Sequence, residues 1–97
     1  MKLRFTPQAI DDLTSISDYI RARNPDASQR VLAAILEALQ MLTEFPEMGR
    51  PQTVEGVRKL VTRKYVYLVY YTIGQGAGEI AILAIQHPAR ARDYSDA

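Results

Sequence analysis

The sequence predicts an α+β domain in the order β-α-α-β-β-β, an antiparallel sheet with an N-terminal helical hairpin packed on one face. Three observations predict it. Apolar residues recur every three or four positions through residues 10–45, the period of helices that bury one side. After a loop rich in Pro and Gly the period changes to two, the signature of strands. Two start signals, Thr6-Pro7 and Asn24-Pro25, divide the helical half into two. Helices that come together, followed by strands that come together, give the α+β class.

Residues 1–5 alternate, with Leu3 and Phe5 on one side and Lys2 and Arg4 on the other, which reads as a short strand with one buried face. Thr6 then supplies an N-cap, and Pro7 stands at the first helical position, where no amide donor is needed. The first helix carries the stripe Ile10, Leu13, Ile16 and Ile20, and Asp11 and Asp12 sit near its start, where the helix dipole favours negative charge. It should end near Asn24, because Pro25 disfavours helical geometry in the residue before it. Asn24-Pro25-Asp26 repeats the start logic. The second helix carries the wider stripe Val31, Leu32, Ile35, Leu36, Leu39, Leu42 and Phe45, so it should be the more buried, and it stops at Pro46. The short link between the helices makes the hairpin antiparallel.

Residues 46–56 read as a loop. Val57–Thr62 and Tyr65–Ile73 read as strands, the second rich in Tyr, Val and Ile. Residues 74–78 read as a flexible turn. Glu79–Gln86 is an almost continuous apolar run, expected to be a central strand covered by helices on one face and partly buried on the other.

With 97 residues the chain has apolar surface for one core, so a single domain over residues 1–97 is expected. There is no cysteine, hence no disulfide framework and no thiol chemistry. No apolar run approaches the roughly 20 residues that span a bilayer, and the start Met-Lys-Leu-Arg-Phe-Thr-Pro lacks the features of a signal peptide. A cytoplasmic location is therefore expected, with no membrane partner. The net charge of +1 conceals an asymmetry: residues 1–49 carry five basic and seven acidic side chains, whereas residues 50–92 carry seven basic and two acidic. A positive half can attract an anionic partner, although the same charges also make an ordinary solvated sheet face.

Four segments in order, Phe45-Pro46-Glu47-Met48-Gly49-Arg50-Pro51, Val57-Arg58-Lys59-Leu60-Val61, Tyr65–Tyr71 and Ile82–Arg90, come after a hairpin opened by Thr6-Pro7-Gln8-Ala9. Together they resemble the RelE/ParE toxin superfamily over nearly the whole chain. The resemblance implies the toxin of a type II toxin–antitoxin system with no cofactor, held inactive by a cognate antitoxin in a hetero-oligomer. ParE-like members poison DNA gyrase, and RelE-like members cut messenger RNA in the ribosomal A site. The long hairpin and the ending His87–Tyr94 look more like the ParE branch, with a ParD-like antitoxin as partner.

The candidate residues separate these branches chemically. Cleaving RNA without a metal needs a general base, a general acid and cations around the phosphorane. A ribonuclease would draw on Arg58, Arg63, His87, Arg90 and Tyr94, but the chain has a single histidine. That histidine also argues against a metal site; its structural role would be a ring that ends the last strand and orients the C-terminal segment. The expected target-binding rim is Arg50, Arg58, His87, Arg90, Arg92 and Tyr94. Arg58 and Lys59, adjacent on a strand, must point to opposite faces, and the one beneath the helices must find a partner or reach the edge. Tyr65, Tyr67 and Tyr71 should share one face, with Tyr70 on the other. Such a row can stack on bases, but packing on a half-buried surface is the better reading. A gyrase inhibitor is therefore the leading reading, a ribosome-dependent ribonuclease the alternative, and an inactive remnant or simple binding module the third.

Overall fold

The computed structural model describes residues 1–74 and 78–88. The elements are β1 (Lys2–Phe5), α1 (Pro7–Arg21), α2 (Pro25–Glu44), β2 (Arg50–Pro51), β3 (Val57–Val61), β4 (Leu68–Gly74) and β5 (Glu79–Gln86). Both helices begin as their cap residues dictate. Thr6 Oγ1 accepts from Ala9 N at 3.1 Å, and Asn24 Oδ1 accepts from Ala27 N at 3.2 Å, each with Pro at the first helical position. No helix among the described residues is long and apolar enough to cross a membrane.

The five strands form one sheet in the order β1-β5-β4-β3-β2. β2 through β5 pair antiparallel, as expected, but β1 runs parallel to β5, with Leu3 opposite Ile80 and Phe5 opposite Ile82, so the sheet is mixed. The period-two pattern defines which side chains are buried and carries no information about strand direction, which the crossing helical hairpin decides. The short strand β2 falls within the stretch expected to be loop; its two residues add an edge to β3. β5 is interior, as its continuous apolar run requires.

The hairpin covers one face. Ile35, Leu39 and Leu42 of α2 meet Val69 and Tyr71 of β4 and Ile80, Ile82 and Ile85 of β5 in the main core, where each large aliphatic side chain contributes about 1.5–3 kcal/mol. α2 is the more buried helix, as its wider stripe predicts. The stripes themselves need correction at three places: Ile10 is 53% exposed and Phe45 56%, and Leu36 also faces solvent. On α1 the small Ala9 is fully buried instead, and Leu13, Ile16 and Ile20 pack partly buried against the main core. On the other face Val57, Leu68, Tyr70 and Ala84 form a smaller cluster with Leu83 beside it.

β4 starts three residues later than its composition suggests. Tyr65 has a left-handed backbone with φ 57°, a conformation that costs a non-Gly residue energy and breaks a strand. The buried Thr62 organises this turn: its hydroxyl donates to Tyr65 O at 2.7 Å and accepts from Tyr67 N at 2.8 Å. Tyr65, Tyr67 and Tyr71 all pack on the helical side and Tyr70 on the other, so the row is packing, not an open stacking surface.

Candidate functional site

The residues singled out from the sequence fall into two places and one undescribed segment. The first place is a clamp beneath the loop after α2. Arg58 and Tyr71 lie opposite each other on β3 and β4. The Arg58 guanidinium donates from Nη1 to the carbonyls of Glu47 at 3.1 Å and Gly49 at 2.7 Å. The Tyr71 hydroxyl donates to Pro46 O at 2.7 Å and accepts from Gly49 N at 2.9 Å. Arg58 is therefore the member of the Arg58–Lys59 pair that finds partners, and it spends its donors on backbone. Gly49 is required by space: a Cβ there would stand 2.6 Å from the Tyr71 oxygen and 3.0 Å from Lys59 O. Arg50, just beyond, is exposed on β2 opposite Lys59.

The second place is the end of the sheet where the turn after β3 meets the end of β5. Leu68 pairs with Gln86, which carries Arg63 and Lys64 of that turn to the same end as His87. All three side chains are exposed. The His87 ring meets the Tyr67 ring edge to face, with centroids 5.8 Å apart and planes at 83°. Beneath them, a cleft of about 430 Å³ opens between α1 and β5. Asp12, Ser15 and Tyr19 line it from α1, and Gln86, His87 and Tyr67 line it from the sheet.

Asp12 shapes that cleft for a reason sequence alone did not show. β1 ends at Phe5, so beyond Ile82 the β5 backbone has no strand on that side, and a bulge at Leu83 disturbs the ladder to β4. The Thr6 hydroxyl donates to Leu83 O at 3.0 Å, and Asp12 Oδ2 accepts from Ile85 N at 2.9 Å. Asp12 thus acts as a side-chain substitute for a missing strand. Reading Asp11 and Asp12 as partners of the helix dipole misses this; neither lies in the first turn of α1. An acidic residue one helical turn beyond a Thr-Pro start was the available signal, but its partner lies 73 positions away.

Arg90, Arg92 and Tyr94 lie outside the described residues. Of the expected rim, the structure thus separates Arg58, engaged by the loop, from Arg50 at one edge and His87 at the cleft. Proton-transfer chemistry is sparse around them. Burial pushes the Tyr67 phenol above its ordinary pKa, and it does the same to Tyr71 against smaller opposing effects of the Gly49 N–H and Arg58. A phenol shifted upward is a poor general base at neutral pH. No group of three or more His, Asp or Glu side chains suited to a metal ion occurs among the described residues.

Comparison with known proteins gives a consistent picture. The profile of the family described as "ParE toxin of type II toxin-antitoxin system, parDE" matches residues 3–92. Toxin RelE2 of Caulobacter vibrioides is 37% identical over 86 residues, covering 89% of this chain and 93% of that protein. The chromosomal ParDE toxin–antitoxin system of P. aeruginosa contains a chain that superposes with a TM-score of 0.77 at 28% identity, covering 90% of this chain and 95% of that one. A chain of the RelBE2 toxin–antitoxin complex of Mycobacterium tuberculosis superposes at 0.65 with 29% identity, covering 89% and 95%.

Proposed function

The chain belongs to the ParE toxin family of type II toxin–antitoxin systems, and we propose that it poisons DNA gyrase when free and is silenced by a cognate ParD-like antitoxin. The observation that carries this reading is the ParE profile match over residues 3–92. The geometry of the rim supports it. Arg58 of β3 is committed to the carbonyls of Glu47 and Gly49, and His87 has for its ring neighbour a tyrosine whose phenol resists ionisation. The remaining cations suit contact with another macromolecule: exposed Arg50, Arg63 and Lys64, together with the basic tail residues Arg90 and Arg92. Such a toxin binds and traps its target and needs no general acid–base pair. An antitoxin tail that folds on binding would supply both apolar and acidic contacts to this surface, and the action would take place in the cytoplasm, where gyrase works.

The test is DNA supercoiling by purified gyrase. Stoichiometric toxin should inhibit supercoiling and leave trapped cleaved DNA, and added antitoxin should restore activity. Full supercoiling at excess toxin would overturn the reading.

A second reading, ribosome-dependent cleavage of messenger RNA, draws on the 37% identity to a protein named Toxin RelE2. It would use Arg58, Arg63, His87, Arg90 and Tyr94. Primer extension on translated messages decides it: cleavage within codons that vanishes in Arg90→Ala supports this alternative.

A further inference from the structure

We infer that Thr6 and Asp12 are positioning residues for target binding: from α1 and its cap they hold a bulge in β5 that places His87 on the helical face of the sheet. Along a regular strand the side chains alternate. Ile80 and Ile82 lie in the main core, so an unbroken strand would send residues 84 and 86 there next, and His87 to the opposite face. The observed order differs. Tyr70 pairs with Ala84 and Tyr71 with Ile82, which makes Leu83 the extra residue of a bulge. Leu83 and Ala84 both lie with the smaller cluster, and Ile85 returns to the main core. His87 then meets the Tyr67 ring and lines the cleft beside α1. One inserted residue moves His87 from one face of the sheet to the other.

A bulge leaves backbone groups without ladder partners, and β1, which ends at Phe5 opposite Ile82, cannot supply them. The start of α1 does. The Thr6 hydroxyl donates to Leu83 O at 3.0 Å, at the inserted residue itself, while accepting from Ala9 N as the helix cap. Asp12 Oδ2 accepts from Ile85 N at 2.9 Å, two residues further along. Gln8 Nε2 donates to Asp12 Oδ1 at 2.8 Å and so orients the carboxylate. Burial of Ile85 selects the bulged register, and the two side-chain bonds make it stiff up to the residues before His87. That end of the sheet carries exposed His87 of the expected rim, and the stretch holding Arg90 and Arg92 begins two residues later. A contact residue held in place before encounter loses less conformational freedom on binding, so the grip on the bulge strengthens target binding without touching the target.

This role rests on the reading of the chain as a gyrase-binding toxin, and its test has one arm without gyrase so that the two can fail separately. In the isotope-labelled full chain, nuclear Overhauser contacts between the His87 and Tyr67 rings are followed. They should be present in the wild type, lost in Asp12→Ala and kept in Asp12→Asn, which retains an acceptor for Ile85 N. In the supercoiling assay Asp12→Ala and Thr6→Val should each raise the toxin concentration for half inhibition by about tenfold, with Asp12→Asn restoring most of the loss. Thr6→Val also removes a helix cap. Asn24→Ala removes the cap of α2, far along the chain from the bulge, and should stay within about twofold of the wild type despite a similar loss of stability. Intact ring contacts or full inhibition in a folded Asp12→Ala protein, or Asn24→Ala as impaired as Thr6→Val, would each overturn the assignment. If the wild type leaves gyrase untouched, the gyrase reading alone fails, and the ring contacts still decide the positioning role. Thr6→Val set against Asn24→Ala decides it if Asp12→Ala does not fold.

Discussion

The clamp under the Pro46–Gly49 loop and the cleft between α1 and β5 are built from similar materials and put them to opposite use. Each brings a tyrosine and a potentially charged side chain to the rim of the same helix-covered sheet. In the clamp, every donor of note has an acceptor: Tyr71 bridges Pro46 O and Gly49 N, and Arg58 holds two carbonyls. In the cleft, Asp12 accepts from Ile85 N and Gln8 Nε2 and keeps its charge without a counter-ion among the described residues. A closed polar network specifies a loop, and an incomplete one keeps interaction free energy for a partner. Arginine in this chain is thus informative only with its surroundings, since Arg58 serves the fold while Arg50 remains exposed.

The contrast breaks most sharply at Gly49. Gly49→Val drives side-chain atoms into the Tyr71 hydroxyl and the Lys59 carbonyl, and should cost about 3 kcal/mol in chemical denaturation. Tyr71→Phe keeps the packing but strips Gly49 N and Pro46 O of their partner; a loss of about 2 kcal/mol is expected. Asp12→Ala should cost about 1–2 kcal/mol because Ile85 N loses its acceptor, with Asp12→Asn recovering most of it. Gln86→Leu carries the opposite sign: removing an unpaired buried acceptor should leave stability unchanged or raise it by about 1 kcal/mol. If Asp12→Asn proves as destabilising as Tyr71→Phe, the charge itself serves the fold, the cleft is as closed a network as the clamp and the contrast disappears.

Alkaline titration sharpens the same comparison. Burial raises the pKa of Tyr71 above the ordinary 10.0, so the folded state favours the protonated phenol. Its contribution to stability is complete below pH 10.0 and is lost as pH rises through the folded value. Stability measured from pH 8 to 12 should therefore fall on the alkaline side, and Tyr71→Phe should fall less steeply, the residual slope coming in part from Tyr67, which is shifted in the same direction.

Much of the fold was legible because its signals are local. Thr6-Pro7 and Asn24-Pro25 start their helices through contacts three residues away, and Glu79–Gln86 is a strand over its whole expected length. Legibility failed where a residue answers to a distant one. Ile10 reads as core from its spacing, yet Ala9 lies in the close contact and Ile10 is turned to solvent. Tyr65 has the composition of a strand residue, but the turn held by Thr62 gives it a left-handed backbone. Of the candidate site, His87 was legible from its position after an apolar strand, while nothing local marked Asp12 as lining the same cleft.

By itself, the sequence determined the order of every element but the short β2, their approximate ends, the two-layer α+β class and the toxin family, because capping, periodicity and motif order are written in neighbouring residues. Only the tertiary structure decided that β1 runs parallel to β5, that Arg58 belongs to a loop clamp, and that Asp12, Tyr67 and His87 share one cleft. Those outcomes depend on which backbone groups are left without partners once the sheet is assembled, and that accounting exists only in three dimensions.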